Sequence, residues 1–222
     1  PLWQHLIVGD RLLDLFDGDR VHPQVITAIR NAEHKGAWVE QASTGPHARG
    51  GRGQGRARRD GGPRRSGPRP EGRARGGAPS RVEVIRRLER DGLLPAITFV
   101  FSRVGCDAAV GQLLASGVRL VPESQGERIR RRVEEKMAAL ADEDLSVLGY
   151  WDFVECLTRG FAAHHAGMLP LFREIVEELF TSADIRAVFA TETLALGINM
   201  PARTVVIEKL TKFNGETHAE LT

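Results

Sequence analysis

Two threonines, a glycine and an asparagine, Thr191, Thr193, Gly197 and Asn199, crowd one short polar stretch of the sequence. Threonine hydroxyls are side chains expected at phosphate oxygens. Gly197 lets backbone come close to a ligand, and Asn199 offers an amide donor beside a carbonyl acceptor. Upstream, Ser102-Arg103 sets a hydroxyl beside a guanidinium fork, a pair suited to phosphate oxygens. Each set also has a plainer reading, an ordinary surface loop for the first and a surface ion pair for Arg103. His164-His165 invites a metal reading. Adjacent residues on a strand point to opposite faces, however, and no third ligand stands at useful spacing, so no metal is expected.

Rigid elements must stand behind such residues. The apolar run Ile185–Phe189 lies between Ser182-Ala-Asp184 and Thr191-Glu192, and its length and β-branched content suit a buried strand. Thr204–Ile207 reads as a second strand, with a polar loop and a short helical turn between the two. Pro95 leads into a strand over Ala96–Phe101, apolar enough to be covered on both faces, with Ser102 and Arg103 at its carboxyl end. Gly160–His164 reads as a weak strand. Ser80-Arg-Val-Glu83 is a capping box, followed by the stripe Val84, Ile85 and Leu88 and a stop at Gly92. Further helices are predicted over Asp107–Ser116, closed by Gly117, over Glu123–Leu140 with Ile129, Val133 and Met137 at four-residue spacing, and over Tyr150–Leu157. Another starts at Pro170 and runs through Phe180, with an apolar face wide enough for core packing. The arginines of 128–132 read as a solvated face paired with Glu127, Glu134 and Glu135, a nucleic-acid face being the alternative. Alternating helices and strands predict an α/β class with a mainly parallel sheet flanked by helices, its strand order left open. In such sheets ligands bind at the carboxyl ends of the strands.

Charge is unevenly spread. The 222 residues carry a formal net charge of +2, yet Thr44–Ser80 holds ten arginines against Asp60 and Glu71, which leaves the remainder acidic. That segment also has eleven glycines, five prolines and no large apolar side chain. It cannot offset the ~1–2 kcal/mol per residue that ordering a backbone costs, so it reads as a disordered insert. Arg49-Gly-Gly-Arg-Gly-Gln-Gly-Arg56 within it suits counterion-releasing contact with RNA. The lack of interleaved aromatics favours a solvated insert without a specific role. Before it, Pro1–Val8 is strand-like, and Arg11–Phe16 and Val25–Ile29 are predicted to be short and partly helical. Cys106 and Cys156 lack metal-ligand spacing, so reduced intracellular thiols are expected. No apolar run reaches the ~18 residues that span a bilayer.

The whole string Ala190–Val205, ATETLALGINMPARTV, resembles motif V of superfamily 2 helicases in the form used by the superkiller-type DExH-box RNA helicases. Ala96-Ile-Thr-Phe-Val-Phe-Ser-Arg103 looks like that family's motif IV. Phe161-Ala-Ala-His-His-Ala-Gly-Met168 looks like its His-His-Ala-Gly segment, and the phrasing is similar to actinobacterial members. The resemblance implies a connecting segment over 1–43, the insert over 44–80, and a second RecA-like domain over 81–222, cut before motif VI. It implies nucleic-acid contact by Ser102, Arg103, His165, Gly167, Thr191 and Thr193, with one histidine holding the loop. Gly197 and Asn199 would face ATP, Asn199 standing where an aspartate often meets the ribose. The implied cofactor is ATP with Mg2+, whose metal and phosphate ligands belong to a first RecA-like domain. Implied partners are that domain and single-stranded or partly duplex RNA, with DNA as the alternative, in the cytoplasm and without a membrane. Neither a G-x-x-x-x-G-K-[ST] loop nor a DExH box occurs in this sequence. The intact protein is thus expected to be an ATP-dependent helicase and this stretch alone inactive, with no catalytic residue of its own. A non-catalytic nucleic-acid-binding module is the other class in play.

Overall fold

The computed structural model describes residues 3–8, 11–31, 79–138, 149–192, 194, 200–208, 211–213 and 218–220. The chain divides into two compact units, Pro1–Ser80 and Arg81–Thr222. Most of the insert expected over 44–80 therefore lies outside the described residues.

In the first unit, β1 (His5–Val8) pairs antiparallel with β2 (Arg11–Asp14), and β3 (Phe16–Asp17) pairs with β4 (Arg20–Val21). Helix α1 follows over residues 23–31, where Val25–Ile29 was expected to be helical. Arg11–Phe16 corrects the reading given above, since it is extended and not helical. Its register places Val8 opposite Arg11 with the dipeptide Gly9-Asp10 between them. Gly-Asp is a hairpin-turn signal that outweighs the weak helical pattern of the leucines.

The second unit is built on a four-stranded sheet of order β6-β7-β5-β8. Its strands are β5 (Ala96–Phe99), β6 (Phe161–His164), β7 (Ala187–Ala190) and β8 (Thr204–Ile207), all parallel. Helices α2 (Arg81–Arg90), α3 (Arg103–Ala115), α4 (Glu123–Met137), α5 (Tyr150–Thr158) and α6 (Pro170–Thr181) supply the flanking layers. The α/β class with a parallel sheet and helices on both sides, consistent with a RecA-like fold, is what the structure has. Strands β9 (Thr211–Phe213) and β10 (His218–Glu220) form a separate antiparallel pair.

Period-two alternation along each strand sorts the core into two layers. Ile97, Ala162, Val188 and Ala190 face Ile129 and Val133 of α4, Leu157 of α5 and Ile175, Val176 and Leu179 of α6. Ala96, Phe161, Ala163 and Phe189 face Ile85 and Leu88 of α2 and Ala109 and Leu113 of α3. The predicted stripe of α4 is therefore the buried one, and Pro170 sits in the first turn of α6. Strand β6 lies at the sheet edge, yet all of its residues are buried. Arg128 bonds the Ser124 carbonyl one turn back at 3.1 Å, whereas Arg130 and Arg132 reach off their own helix. Arg130 meets Glu155 at 3.7 Å, and Arg132 meets Glu178 at 3.3 Å and Asp184 at 3.2 Å. They staple α4 to its neighbours because long guanidinium arms reach across a helix interface.

Cys106 and Cys156 are free and buried. Burial pushes each thiol up to about 12. Thiolate is the reactive form, so iodoacetamide near neutral pH is expected to leave both unlabelled until the chain unfolds. Labelling of the folded chain at a free-thiol rate would contradict this. The folded thiols also hold protons that unfolded thiols release near 9, so stability should fall as pH rises from about 9 towards 12.

Candidate nucleic-acid interface

The parallel register decides which loops meet. Phe99 stands beside Ala190, Ala190 beside His164, and Phe99 beside Ile207. All four strands therefore end level, and the residues that follow them share one edge of the sheet. Backbone bonds extend the ladder into those loops. The Val100 amide donates to Ala190 O at 2.9 Å, the Thr191 amide to His164 O at 3.2 Å, and the Glu208 amide to Phe99 O at 3.2 Å. Ser102, Arg103, His165, Gly167 and Thr191 are thereby brought to the same edge. Thr193, Gly197 and Asn199 lie outside the described residues.

Strand β5 stops at Phe99, two residues earlier than expected, because Phe101 takes φ 57°. That left-handed conformation costs a non-glycine residue about 1 kcal/mol and swings the chain into α3. Ser102 caps the helix, its Oγ accepting the Gly105 amide at 3.0 Å. Alpha3 consequently begins at Arg103, four residues before its predicted start. The Ser102 hydroxyl hydrogen remains for a second acceptor. The first amides of α3 point off the same edge with the positive end of the helix dipole.

Arg103 is exposed, and its guanidinium has no hydrogen-bond or ion-pair partner among the described residues. Its stem lies against the turn after β6. A Cβ added to Gly167 would sit 3.3 Å from Arg103 Cδ and 3.1 Å from His165 Nδ1. Glycine there leaves room for the arginine to rest on backbone.

The two histidines diverge, as strand geometry requires. His164 Nε2 meets Glu177 Oε1 of α6 at 2.7 Å, while its Nδ1 is buried without a hydrogen-bond partner. His165 turns to the other layer, where Nε2 meets Asp107 Oδ1 of α3 at 2.9 Å and Nδ1 accepts the Gly167 amide at 3.1 Å. Both ring nitrogens of His165 are thus engaged and its residue is only 5% exposed. The ring is thereby tied into the loop, with both nitrogens occupied by protein partners. No three His, Cys, Asp or Glu side chains gather as a metal site among the described residues.

Beside Ser102, Arg81 of α2 forms a two-pronged pair with Glu208 after β8, at 2.6 and 2.9 Å. The Glu208 hydrogen bond holds the Arg81 guanidinium above its ordinary value. This cation is already neutralised, whereas Arg103 is exposed and without a partner among the described residues. Sequence reading missed Asp107, Arg81 and Glu208. Asp107 had one legible signal, standing four residues after Arg103 and so on the same helical face. A hollow of about 540 Å³ opens elsewhere, lined by Arg132, Glu177 and Glu178. Arg132 pairs with Glu178 there, and Glu178 and Glu177 also meet Lys136 and His164 beside it.

No protein-family model matches the chain. It is 53% identical over its whole length to the probable helicase HelY of Mycobacterium tuberculosis, of which it spans 23%. It is 42% identical, over 64% of its length, to DExH-box ATP-dependent RNA helicase DExH15 chloroplastic of Arabidopsis thaliana, spanning 12% of that protein. Superkiller complex protein 2 of Homo sapiens is 36% identical over 63% of the chain, which spans 11% of it. The chain therefore covers less than a quarter of the length of each of these relatives. Its matches to helicases in sequence, and its parallel sheet flanked by helices, agree with the motifs its own residues spell. The chain is homologous to one segment of the superkiller-type DExH-box helicases.

Proposed function

We propose that this chain is the second RecA-like motor domain of an ATP-dependent helicase acting on RNA in the cytoplasm. The observation that carries the reading is Arg103, exposed and without a partner among the described residues, at an edge where three loops converge. Ser102, Arg103, Gly167 and Thr191, with Thr193, grip phosphates of a single strand, and His165 holds the loop beneath them. Gly197 and Asn199 form one wall of an ATP cleft. ATP and Mg2+ bring a first RecA-like domain against that wall. The chemistry supplied there is phosphoryl transfer, for which the metal and phosphate ligands come from the first domain. The loop that begins at Thr191 touches both ligands, so closing the cleft moves the grip along the strand. The relatives include an ATP-dependent RNA helicase, which supports this substrate and cofactor.

Thr191→Ala tests the division of labour in the complete protein. Affinity for a labelled single-stranded RNA should fall about threefold, one net hydrogen bond's worth, while ATP affinity changes less. Equal losses in both would contradict the role assigned to this side chain. The strongly basic Thr44–Ser80 segment favours a second reading, a non-catalytic RNA-binding module. ATP-driven strand displacement by the complete protein separates the two, since only the motor reading yields it.

A further inference from the structure

We propose that Asp107 is a positioning residue for this edge, acting through His165 to set the turn on which Arg103 rests. The inference stands on the reading of the edge as a phosphate grip. The hydrogen-bond directions fix the chain of contacts. His165 Nδ1 accepts the Gly167 amide at 3.1 Å, so it carries no hydrogen, and the ring's single N–H is on Nε2, donating to Asp107 Oδ1 at 2.9 Å. The Met168 amide closes the turn on His165 O at 3.1 Å. Gly167 then sits beneath the Arg103 stem.

Electrostatics make the presence of Asp107 informative. Its side chain is 62% exposed, whereas that of His165 is 7% exposed. An exposed carboxylate one helical turn from Arg103 repels the phosphates that Arg103 attracts. By charge alone, removing it should tighten RNA binding. By the contacts it makes, removing it leaves a buried imidazole N–H without an acceptor. The ring is then released to its other tautomer, whose Nδ1–H opposes the Gly167 amide. The turn loosens and Arg103 loses its seat. The two effects have opposite signs, and the observed sign decides between them.

The test is fluorescence anisotropy of this chain with a fluorescein-labelled single-stranded oligouridylate at fixed salt. Asp107→Ala should weaken binding about threefold, the scale of one hydrogen bond. Asp107→Asn keeps a carbonyl acceptor for the ring and drops the charge, so it should bind as tightly as the unsubstituted chain or tighter. In an Arg103→Ala background, Asp107→Ala should add no further loss. Nitrogen-15 NMR should find the Nε2–H tautomer of His165 in the unsubstituted chain and in Asp107→Asn, and a tautomer mixture in Asp107→Ala. Should Asp107→Ala fold poorly, Asp107→Ser, too short to reach the ring, gives the same reading. If Asp107→Ala binds RNA unchanged or tighter while Arg103→Ala binds weakly, the positioning role is overturned and the phosphate grip stands. If Arg103→Ala binds unchanged, the grip fails and the positioning role with it.

Discussion

Gly126→Ala is expected to lower the melting temperature of the chain and Gly111→Ala to raise it, although both replace a helical glycine by the same residue. Alanine in a helix interior is worth about 1 kcal/mol over glycine, and both sites gain that. Nothing lies within 4 Å of a Cβ at Gly111, which is exposed on α3, so the gain is kept. At Gly126 of α4 the new Cβ would sit 2.5 Å from the Thr158 carbonyl oxygen at the end of α5. That oxygen is backbone and also accepts Arg119 Nη1 at 3.1 Å, so it cannot swing aside as a side chain would. Alpha4 must move off α5, and overpacking of this kind costs about 1–3 kcal/mol or more. With a backbone atom at 2.5 Å the cost lies at the upper end of that range, and the net effect should be a loss of about 1–2 kcal/mol, several degrees in a circular-dichroism melt. A rise at both sites would mean that α4 and α5 are farther apart than described.

Arg103→Ala should weaken the binding of single-stranded RNA by about tenfold or more. Hydrogen bonds to charged groups contribute about 1.5–3 kcal/mol each, and Arg103 has no partner among the described residues that its removal would strand. Losing one phosphate contact should also reduce the slope of log affinity against log salt by about 0.7. Arg103→Lys keeps the charge and loses the planar fork, so it should fall between. Arg81→Ala serves as the contrast. It strands Glu208, half-buried, without its two hydrogen bonds. Stability should fall there while the salt slope stays put. Filter binding across a salt series, with melts of the same samples, separates the two arginines.

What could be read in advance followed from local rules. Adjacent histidines on a strand must diverge, and His164 and His165 do, one to Glu177 and the other to Asp107. Pro170 at the start of α6 and the four-residue stripe of α4 needed only helical geometry. Gly117 ends α3 with φ +65°, a conformation that favours glycine. What went unread depended on partners distant in sequence or on one residue serving two ends. Ser102 was weighed as a phosphate ligand, and that hid its role as the cap that starts α3 four residues early. The α4 arginines looked towards glutamates on their own helix, but Glu155, Glu178 and Asp184 come from elements that only the fold brings near. The pair of Arg81 with Glu208 spans most of the second unit, and no spacing rule reaches that far. Thr191 could be placed at the edge from β7 alone, whereas its company there, Arg103 over Gly167, required the order β6-β7-β5-β8.

Amide protection mapped by NMR during titration of this chain with single-stranded oligouridylate tests the phosphate-gripping edge most directly. Shifts and slowed exchange are expected at Arg103 to Gly105, Gly167 and Thr191, the loops that follow the level strand ends. Perturbation confined instead to the opposite end of the sheet, around Asp184 and Arg186, with those loops silent, would contradict it.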